Sequence, residues 1–169
     1  MGLPRKLKNM MLFNEAASYQ GEASSVTLPK LTRKLEEWRG AGMDAGVKID
    51  MGMEAMEMEW QCGGIMRQVL RQFATPTVGG VMLRFAGAYQ KDDDGGIDAI
   101  EIFVRGRHEE IDMGDAKPGE DTEFKVKTAL SYFRLEWNGE TIIEIDPLAM
   151  ICIVDGVDVL LGQRLALGI

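Results

Sequence analysis

The side chains that perform most enzymatic and metal chemistry are scarce in this chain. His108 is the single histidine, and it lies in the charged stretch RGRHEEID, where a surface position is more common than the role of a catalytic base. Cys62 and Cys152 are far apart in the sequence and lack the closely spaced Cys and His pairs of a zinc site. We therefore predict no catalytic residue, no metal ligand and no cofactor.

An acidic stretch, KDDDGG from Lys91 to Gly96, is the remaining candidate for ion binding. A calcium loop of the EF-hand type spaces its acidic ligands at alternate positions and closes with a glutamate, and this stretch does neither. The sequence also lacks the glycine-rich cradles that bind phosphates and the nucleophile elbow of hydrolases. The stretch is therefore interpreted as a hairpin turn, and the chain is predicted not to be an enzyme.

Composition and charge limit the classes of protein to which the chain could belong. The chain has 169 residues and a net charge of −8, with 27 acidic against 19 basic side chains. Proteins that grip nucleic acid do so largely through cations that displace phosphate counterions, so this balance argues against tight DNA binding. Two cysteines and no signal-like apolar start favour a reduced, cytoplasmic origin, and no apolar run approaches the roughly 18 residues of a membrane span. A single soluble domain covering residues 1–169 is the simplest expectation.

The stretch IDMGMEAMEMEW, from Ile49 to Trp60, shows the clearest structural pattern. Apolar residues, mostly methionine, alternate with acidic ones, as in a half-buried strand. The alternation slips by one residue at Ala55-Met56, and one inserted residue predicts a β-bulge that bends the strand. We expect the methionine side to pack on the core or on a neighbouring subunit, and the acidic side to face water.

A hairpin is predicted to precede this slip. Ser24 to Trp38 would form its first strand, and the glycine-rich stretch RGAGMDAG, Arg39 to Gly46, its turn. Centring the hairpin on Gly42 brings three pairs of opposite charge into register, namely Glu36 with Lys48, Lys34 with Asp50, and Lys30 with Glu54. Glu57 and Glu59 have no cationic partner in this register.

The rest of the chain shows one helical pattern and many strand patterns. Apolar residues recur at helical spacing in IMRQVLRQFA, Ile65 to Ala74, with Arg67 and Arg71 on the solvated side. Strand patterns follow in VMLRFAGAYQ, IDAIEIFVRGR, TEFKVKTALSYFRLEW, ETIIEID and MICIVDGVDVL, and Asn138-Gly139 predicts a tight hairpin turn. The predicted fold is mainly β, a β-sandwich or open barrel with one short α-helix.

Several motifs in a fixed order make a family resemblance. Four stretches occur in this order: SVTLPKLTRKLEEWRGAGMDAGVKIDMG, VRGRHEEIDMGDAKPGEDTEFKV, SYFRLEWNGETIIEID and DGVD. Together they resemble the major tail tube proteins of contractile-tailed bacteriophages and their prophage and R-type bacteriocin relatives. The resemblance runs from LFNEAASYQG at Leu12 almost to the carboxyl end, and is least specific between Ile65 and Val81.

The resemblance implies a self-assembling structural subunit. Its expected partners are further copies in hexameric rings that stack into a tube, together with the tail sheath, tape-measure, tail terminator and baseplate proteins. DNA would pass through the tube without specific binding, and the subunit would be part of the virion after assembly in the host cytoplasm, with no membrane partner. Closing several sheets into one ring also removes open sheet edges, which otherwise invite uncontrolled pairing. The alternative is a monomeric β-sandwich binding module or small-molecule carrier.

Two sets of residues are candidates for the function of such a tube. The turn residues Arg39, Gly40, Gly42, Met43 and Asp44 are predicted to contact another subunit, because a long hairpin has little reason to extend from a solitary domain. Glu57 and Glu59, with Glu54 beside them, are predicted to contribute to an acidic lumen. The alternative for these glutamates is a position facing the sheath or bulk water.

Overall fold

Twelve strands and two short helices form the fold, which a computed structural model describes over residues 2–169. In chain order they are β1 (Lys6–Asn14), β2 (Ala17–Ser18), β3 (Ala23–Thr27), β4 (Arg33–Trp38), β5 (Val47–Met53), β6 (Met56–Cys62), α1 (Arg67–Arg71), β7 (Val81–Gln90), β8 (Ile97–Asp112), β9 (Phe124–Trp137), β10 (Glu140–Asp146), β11 (Ile151–Val154), β12 (Val157–Asp158) and α2 (Leu161–Leu167). The mainly β prediction is confirmed.

Ten of the strands form one antiparallel sheet that branches at β9. Along its main path the order is β12-β11-β10-β9-β8-β7-β1-β2. The first half of β9, from Phe124 to Leu130, pairs with β6, and β6 in turn pairs with β3, whereas the second half of β9 pairs with β10. The remaining two strands, β4 and β5, form a separate hairpin.

The core lies on one face of the long strands β7, β8 and β9. Alternate residues of each strand point into it, as the period of two requires. Its largest fully buried side chains include Phe85, Phe124 and Phe133, and β6 contributes Met58 and Trp60. The predicted alternation of β6 is therefore confirmed, because Met56, Met58, Trp60 and Cys62 are buried and the glutamates between them are exposed.

A buried polar network attaches the α1 segment to this core. The side-chain amides of Gln72 and Asn14 form two reciprocal hydrogen bonds of 2.8 Å. His108 Nε2 lies 2.9 Å from Gln72 Oε1, and its Nδ1 lies 3.0 Å from the hydroxyl of Thr128. Buried polar groups cost free energy unless they are paired, and here each has a partner. His108 is only 6% exposed, so its predicted surface position is wrong.

The opposite face of the long strands carries a row of alternating aromatic and cationic side chains. Phe13, Arg84, Phe103 and Arg134 stand opposite one another across β1, β7, β8 and β9. The guanidinium of Arg84 lies 4.1 Å from the ring centroid of Phe13, and that of Arg134 lies 4.4 Å from Phe103. Such stacks contribute roughly 0.5–1 kcal/mol each at exposed sites, and they cover the outer face of the sheet.

Three sequence predictions differ from the structure. The single strand predicted from Ser24 to Trp38 is two strands, because Pro29 lacks the N–H of a ladder donor and separates β3 from β4. The slip at Ala55-Met56 is a junction rather than a bulge: β5 ends at Met53 in the hairpin, and β6 begins at Met56 in the main sheet. A second helix, α2, is present, whereas the sequence predicted only one short helix.

The helix and turn predictions hold in part. The predicted helix over residues 65–74 is confirmed but shorter, since α1 spans Arg67–Arg71 and buries only Val69. Arg67 and Arg71 are exposed as predicted. The Asn138-Gly139 turn is also confirmed, because both residues have positive φ, 49° and 83°, as a type I′ hairpin turn requires. No helix among residues 2–169 is long and apolar enough to cross a membrane.

Candidate functional site

The β4–β5 hairpin projects from the main sheet with both faces open. Every residue of β4 is exposed, and so are the first five residues of β5. One face combines Trp38 opposite Val47 with Ile49 and Met51 further along β5, and these four side chains are between 44% and 60% exposed. Exposed apolar groups in such a contiguous arrangement mark an interaction surface. The expectation that the methionine side of β5 packs on the core holds only for Met53, whereas Ile49 and Met51 are exposed and their packing on a neighbouring subunit stays a prediction.

The pairing register of this hairpin differs from the predicted one by a single residue. Glu37, not Glu36, stands opposite Lys48, and Leu35 stands opposite Asp50. A slip of one residue transfers every side chain to the other face, so the three predicted charge pairs are wrong. Asp50 instead forms a two-pronged ion pair with Arg33, at 2.8 and 2.9 Å, while Lys34 lies 3.8 Å from Glu36 on its own strand.

The Arg33 guanidinium lowers the pKa of Asp50 below its usual value, and a hydrogen bond from the Gly52 N–H acts in the same direction. Gly52 has a φ of 114°, a conformation that side-chain-bearing residues rarely adopt. A shift in register between Arg33 and Leu35 accompanies it on the other strand. The one-residue offset is already present beside the tip, where Trp38 stands opposite Val47, because the loop of residues 39–46 has an even number of residues and its centre lies between Gly42 and Met43 rather than on Gly42. The irregularity shifts the pairing by a further residue, so that Arg33 stands opposite Met53.

The tip of the hairpin, residues 39–46, is a structured loop. Arg39 Nε donates to the carbonyl oxygen of Met43 at 3.1 Å, and the Gly40 N–H approaches Met43 Sδ at 3.0 Å. Gly42 has a φ of 80°, which explains a glycine at that position. The structure thus brings all five predicted turn residues, Arg39, Gly40, Gly42, Met43 and Asp44, into one loop with an exposed acidic side chain.

A charged surface covers the outer face of β3, β6, β9 and β8. Glu57 and Glu59 of β6 point outward and are joined there by Glu109, Glu110 and Asp112 of β8. The cations on this surface are Lys125, Lys127 and Arg107, so carboxylates outnumber them by five to three. We call these eight residues the acidic face. Glu54 lies apart from them, in the junction between β5 and β6, where its N–H bonds to Thr32.

Lys127 is the cationic centre of the acidic face. Its ammonium lies 3.3 Å from Glu57 and 3.8 Å from Glu109, and Glu59 stands opposite it in the register. The hydrogen bond to Glu57, followed by the charge of Glu109, raises the pKa of Lys127 above its ordinary value. Glu57 therefore has a cationic partner, which comes from β9 rather than from the hairpin in which none was predicted. Glu59 has no ion pair within 4 Å among residues 2–169.

Groups suited to chemistry are absent from these surfaces. Burial lowers the pKa of His108 to about 4 and raises that of Cys62 to about 11, so both are neutral and inert near pH 7. No cluster of three or more His, Cys, Asp or Glu side chains in the described part of the chain could hold a metal ion. The hairpin turn predicted at Lys91 to Gly96 is confirmed, since β7 and β8 pair on either side of it. Its aspartates bind the amino-terminal segment: Asp92 pairs with Lys8 at 2.9 Å, and Asp93 accepts the Leu3 N–H at 3.0 Å.

Sequence reasoning missed the apolar surface at the carboxyl end. Leu161 and Leu165 of α2 are 47% and 69% exposed, and Arg164 fixes the helix by bonding Asp158 and, at 2.8 Å, the Met150 carbonyl. The sequence signal available was a leucine pair at a spacing of four followed by Gly168, because glycine commonly ends a helix. The structure confirms this role, since Gly168 caps α2 with a φ of 77°.

Comparison with known proteins gives consistent matches over nearly the whole chain. The family model described as phage tail tube protein FII matches residues 4–168. The tail tube protein of Escherichia phage P2 is 49% identical over 172 aligned positions, covering 100% of both chains, and the major tail tube protein of Serratia phage KSP20 is 33% identical, covering 92% of this chain and 91% of its own.

Two solved structures share the fold at much lower identity. A chain of the PVC sheath-tube complex, an extracellular contractile injection system in its extended state, aligns with a TM-score of 0.57 at 8% identity, over 79% of this chain and 91% of its own. A chain of the anti-feeding prophage baseplate, 6-fold symmetrised, aligns with a TM-score of 0.52 at 8% identity, over 75% and 90%.

Proposed function

The chain belongs to the phage tail tube protein FII family, and we propose that its copies close into hexameric rings that stack through the β4–β5 hairpin into a DNA conduit. It is a structural tail tube subunit of a contractile-tailed phage, a virion component, and its family is not known as enzymatic. The observation that carries the proposal is the full-length match to the phage P2 protein at 49% identity. A monomeric carrier, the alternative considered from the sequence, has no comparable support.

The open hairpin supports assembly in physical terms. Four large apolar side chains on one hairpin face remain exposed in a single subunit, and their burial against a second copy would be favourable by roughly 25 cal/mol per Å². A tube needs one contact that closes by rotation into a ring and another that repeats along the axis. We assign the axial contact to the hairpin tip, at Arg39, Gly40, Gly42, Met43 and Asp44.

The acidic face supports a lumen that DNA does not adhere to. Each subunit presents more carboxylates than cations there, and a ring repeats this excess in every copy. Phosphates are repelled by carboxylates, and at physiological salt the repulsion acts within about 8 Å. We assign Glu57 and Glu59 to the lumen wall and Glu54 to its rim.

Further partners follow from relatives and from the proposed tube. The PVC chain comes from a sheath-tube complex, and the second structural relative from a 6-fold symmetrised baseplate. By analogy a sheath surrounds this tube and a baseplate ends it, with tape-measure and terminator proteins at the lumen and the far end. Assembly takes place in the host cytoplasm, before the particle is released.

A substitution at the hairpin tip tests the proposal. Ala41 is exposed and has no part in the internal bonds of the tip, so Ala41→Phe is expected to leave the melting temperature of the subunit unchanged and to reduce pelletable tubes. Ala116→Phe, in another exposed loop, is the matched control and is expected to assemble normally. Normal tubes from the Ala41→Phe protein would show that the tip is only a local turn.

A further inference from the structure

A largely apolar groove lies at the base of the hairpin, where β5 passes into β6. It has a volume of about 420 Å³, and Ala55, Val78, Ala129 and Leu148 contribute apolar walls. Leu148 is 73% exposed and Val78 is 42% exposed, so the groove is open to another molecule. We call this site the hairpin-base groove. Apolar sites of this size, with a few polar groups at the edge, are typical binding sites.

The groove and the hairpin tip carry matching charges. Glu54 and Arg107 line the groove, and both are exposed. Arg39 and Asp44 are the charged residues of the tip, residues 39–46. None of the four forms an ion pair within 4 Å among residues 2–169, although Asp50, Lys127 and several other charged groups nearby do. One cation and one anion on each surface permit two opposite-charge contacts at once.

The tip has the form of a prepared binding element. The bonds from Arg39 and Gly40 to Met43 fix the loop, which reduces the conformational entropy lost on binding. Trp38, at the start of the loop, is 60% exposed, and its indole packs beside Gly40. Tryptophan and arginine are the residues most often found as energetic centres of protein interfaces.

The tip cannot reach the groove of its own subunit. Both belong to the same hairpin but lie at opposite ends of β5, a strand of seven residues that spans roughly 20–25 Å. A contact between them must therefore join two copies. Tip-to-base contact is a heterologous contact, and such contacts generate an open, axial assembly when they do not close.

We propose that the hairpin tip of one subunit inserts into the hairpin-base groove of a subunit in the next ring, with Asp44 facing Arg107, Arg39 facing Glu54, and Trp38 and Met43 covering the apolar walls. This inference rests on the proposed function, since it identifies the surface that receives the axial contact.

A charge exchange tests the pairing. Asp44→Arg and Arg107→Asp are each expected to raise the critical concentration for tube formation about tenfold, because each places like charges together at the contact. The double variant restores the opposite-charge contact and is expected to assemble near the original concentration. Asp115→Arg, an equal charge change in an exposed loop, is the control. Melting curves of all variants separate misfolding from lost assembly. If both single variants fold well but the double variant does not recover assembly, the proposed pairing is wrong.

Disulfide trapping tests the location independently of charge. Ala41→Cys and Ala129→Cys are combined in a Cys152→Ser background, in which the remaining native thiol, Cys62, is buried. Oxidation of preformed tubes is expected to give a ladder of covalent oligomers, whereas Ala41→Cys with Ala116→Cys is expected to give none. If tubes form but the 41–129 pair gives no covalent ladder, the groove assignment is wrong and the proposed tube function still stands. A parent chain that forms no tubes overturns the proposed function and this inference with it.

Discussion

At the scale of single residues, His108 shows how burial changes the role of a titratable group. Its ring bonds Gln72 and Thr128, and the indole of Trp60 lies 6.1 Å away. None of these neighbours titrates; the ring of Tyr19, whose own pKa burial raises to about 12, lies 5.8 Å from the indole of Trp60. Burial, which disfavours the charged imidazolium, lowers the pKa of His108 to about 4.

The stability of the subunit is therefore predicted to depend on pH through His108. The unfolded chain binds a proton near the ordinary pKa of about 6.5 and the folded chain only near 4, so the free energy of unfolding falls as the pH drops from 6.5 to 4, by an amount on the order of 3 kcal/mol. Denaturant unfolding between pH 4.5 and 7.5 measures the slope.

Two variants isolate this effect. His108→Gln retains a donor toward Gln72 but does not titrate, so it is expected to lose most of the slope above pH 4.5. Val104→Ala, a cavity-forming change at a buried site of the same strand, is expected to lower stability by about 1–3 kcal/mol at every pH and to keep the slope. Equal slopes in the parent protein and His108→Gln would assign the pH dependence to other groups.

Glu59 gives the residue-scale test of the lumen. Glu57 supports Lys127, whereas Glu59 has no ion pair within 4 Å in the described part of the chain, so Glu59→Lys changes the charge of the acidic face with the smaller effect on folding. Particles carrying Glu59→Lys are expected to assemble and to eject DNA more slowly, with the delay relieved by added salt that screens phosphate contacts. Asp115→Lys serves as the control. Normal ejection at every salt concentration would place Glu59 outside the channel.

At the scale of elements, the hairpin depends on a register that its glycine and ion pair fix together. Gly52 turns the strand locally, and the Arg33–Asp50 pair holds the two strands on either side of the irregularity. Exposed ion pairs stabilise a fold only weakly, so this one selects the register more than it adds stability.

A double-mutant cycle tests the observed register. Reversing Arg33 or Asp50 alone is expected to lower the melting temperature slightly, and exchanging both is expected to recover part of the loss, because the charges again attract. The same cycle with Lys34 and Asp50, which the structure separates, is expected to show no coupling. The observed register would be contradicted if Lys34 and Asp50 were coupled while Arg33 and Asp50 were not. That result would support the register predicted from the turn.

The sequence predicts a strand or turn well when the pattern of its own residues determines the structure. The strand VMLRFAGAYQ coincides with β7, Val81–Gln90, because alternation along one strand is a local property. Sheet membership is not local: the slip at Ala55-Met56 looks like a bulge in the sequence, but β5 and β6 belong to different sheets. The same limit hid the partner of Glu57, since Lys127 lies on a strand distant in sequence.

For the candidate functional residues too, predictions from local sequence succeeded and those that depend on the sheet failed. The turn from Arg39 to Gly46 was identified from its glycines, and the structure brings these residues into one loop. The buried position of His108 could not be predicted from its charged neighbours, because alternation on β8 sends Arg107 outward and His108 inward, toward Thr128.

At the scale of the whole molecule, a single subunit leaves several apolar surfaces exposed to water. It leaves an apolar hairpin face, an open groove and an apolar terminal helix exposed, with Trp38, Leu148 and Leu165 each at least 60% exposed. Surfaces of this kind are costly in water and favour association. The proposed stacking would cover the hairpin and the groove, and the proposed ring closure would remove the open edges of the sheets.

Electron microscopy of the purified chain at increasing concentration tests the central claim most directly. The account predicts rings with sixfold symmetry that stack into hollow tubes of uniform diameter, with a cryo-EM map in which Glu59 faces the channel. A chain that remains monomeric at every concentration, with no rings or tubes in the micrographs, would contradict it.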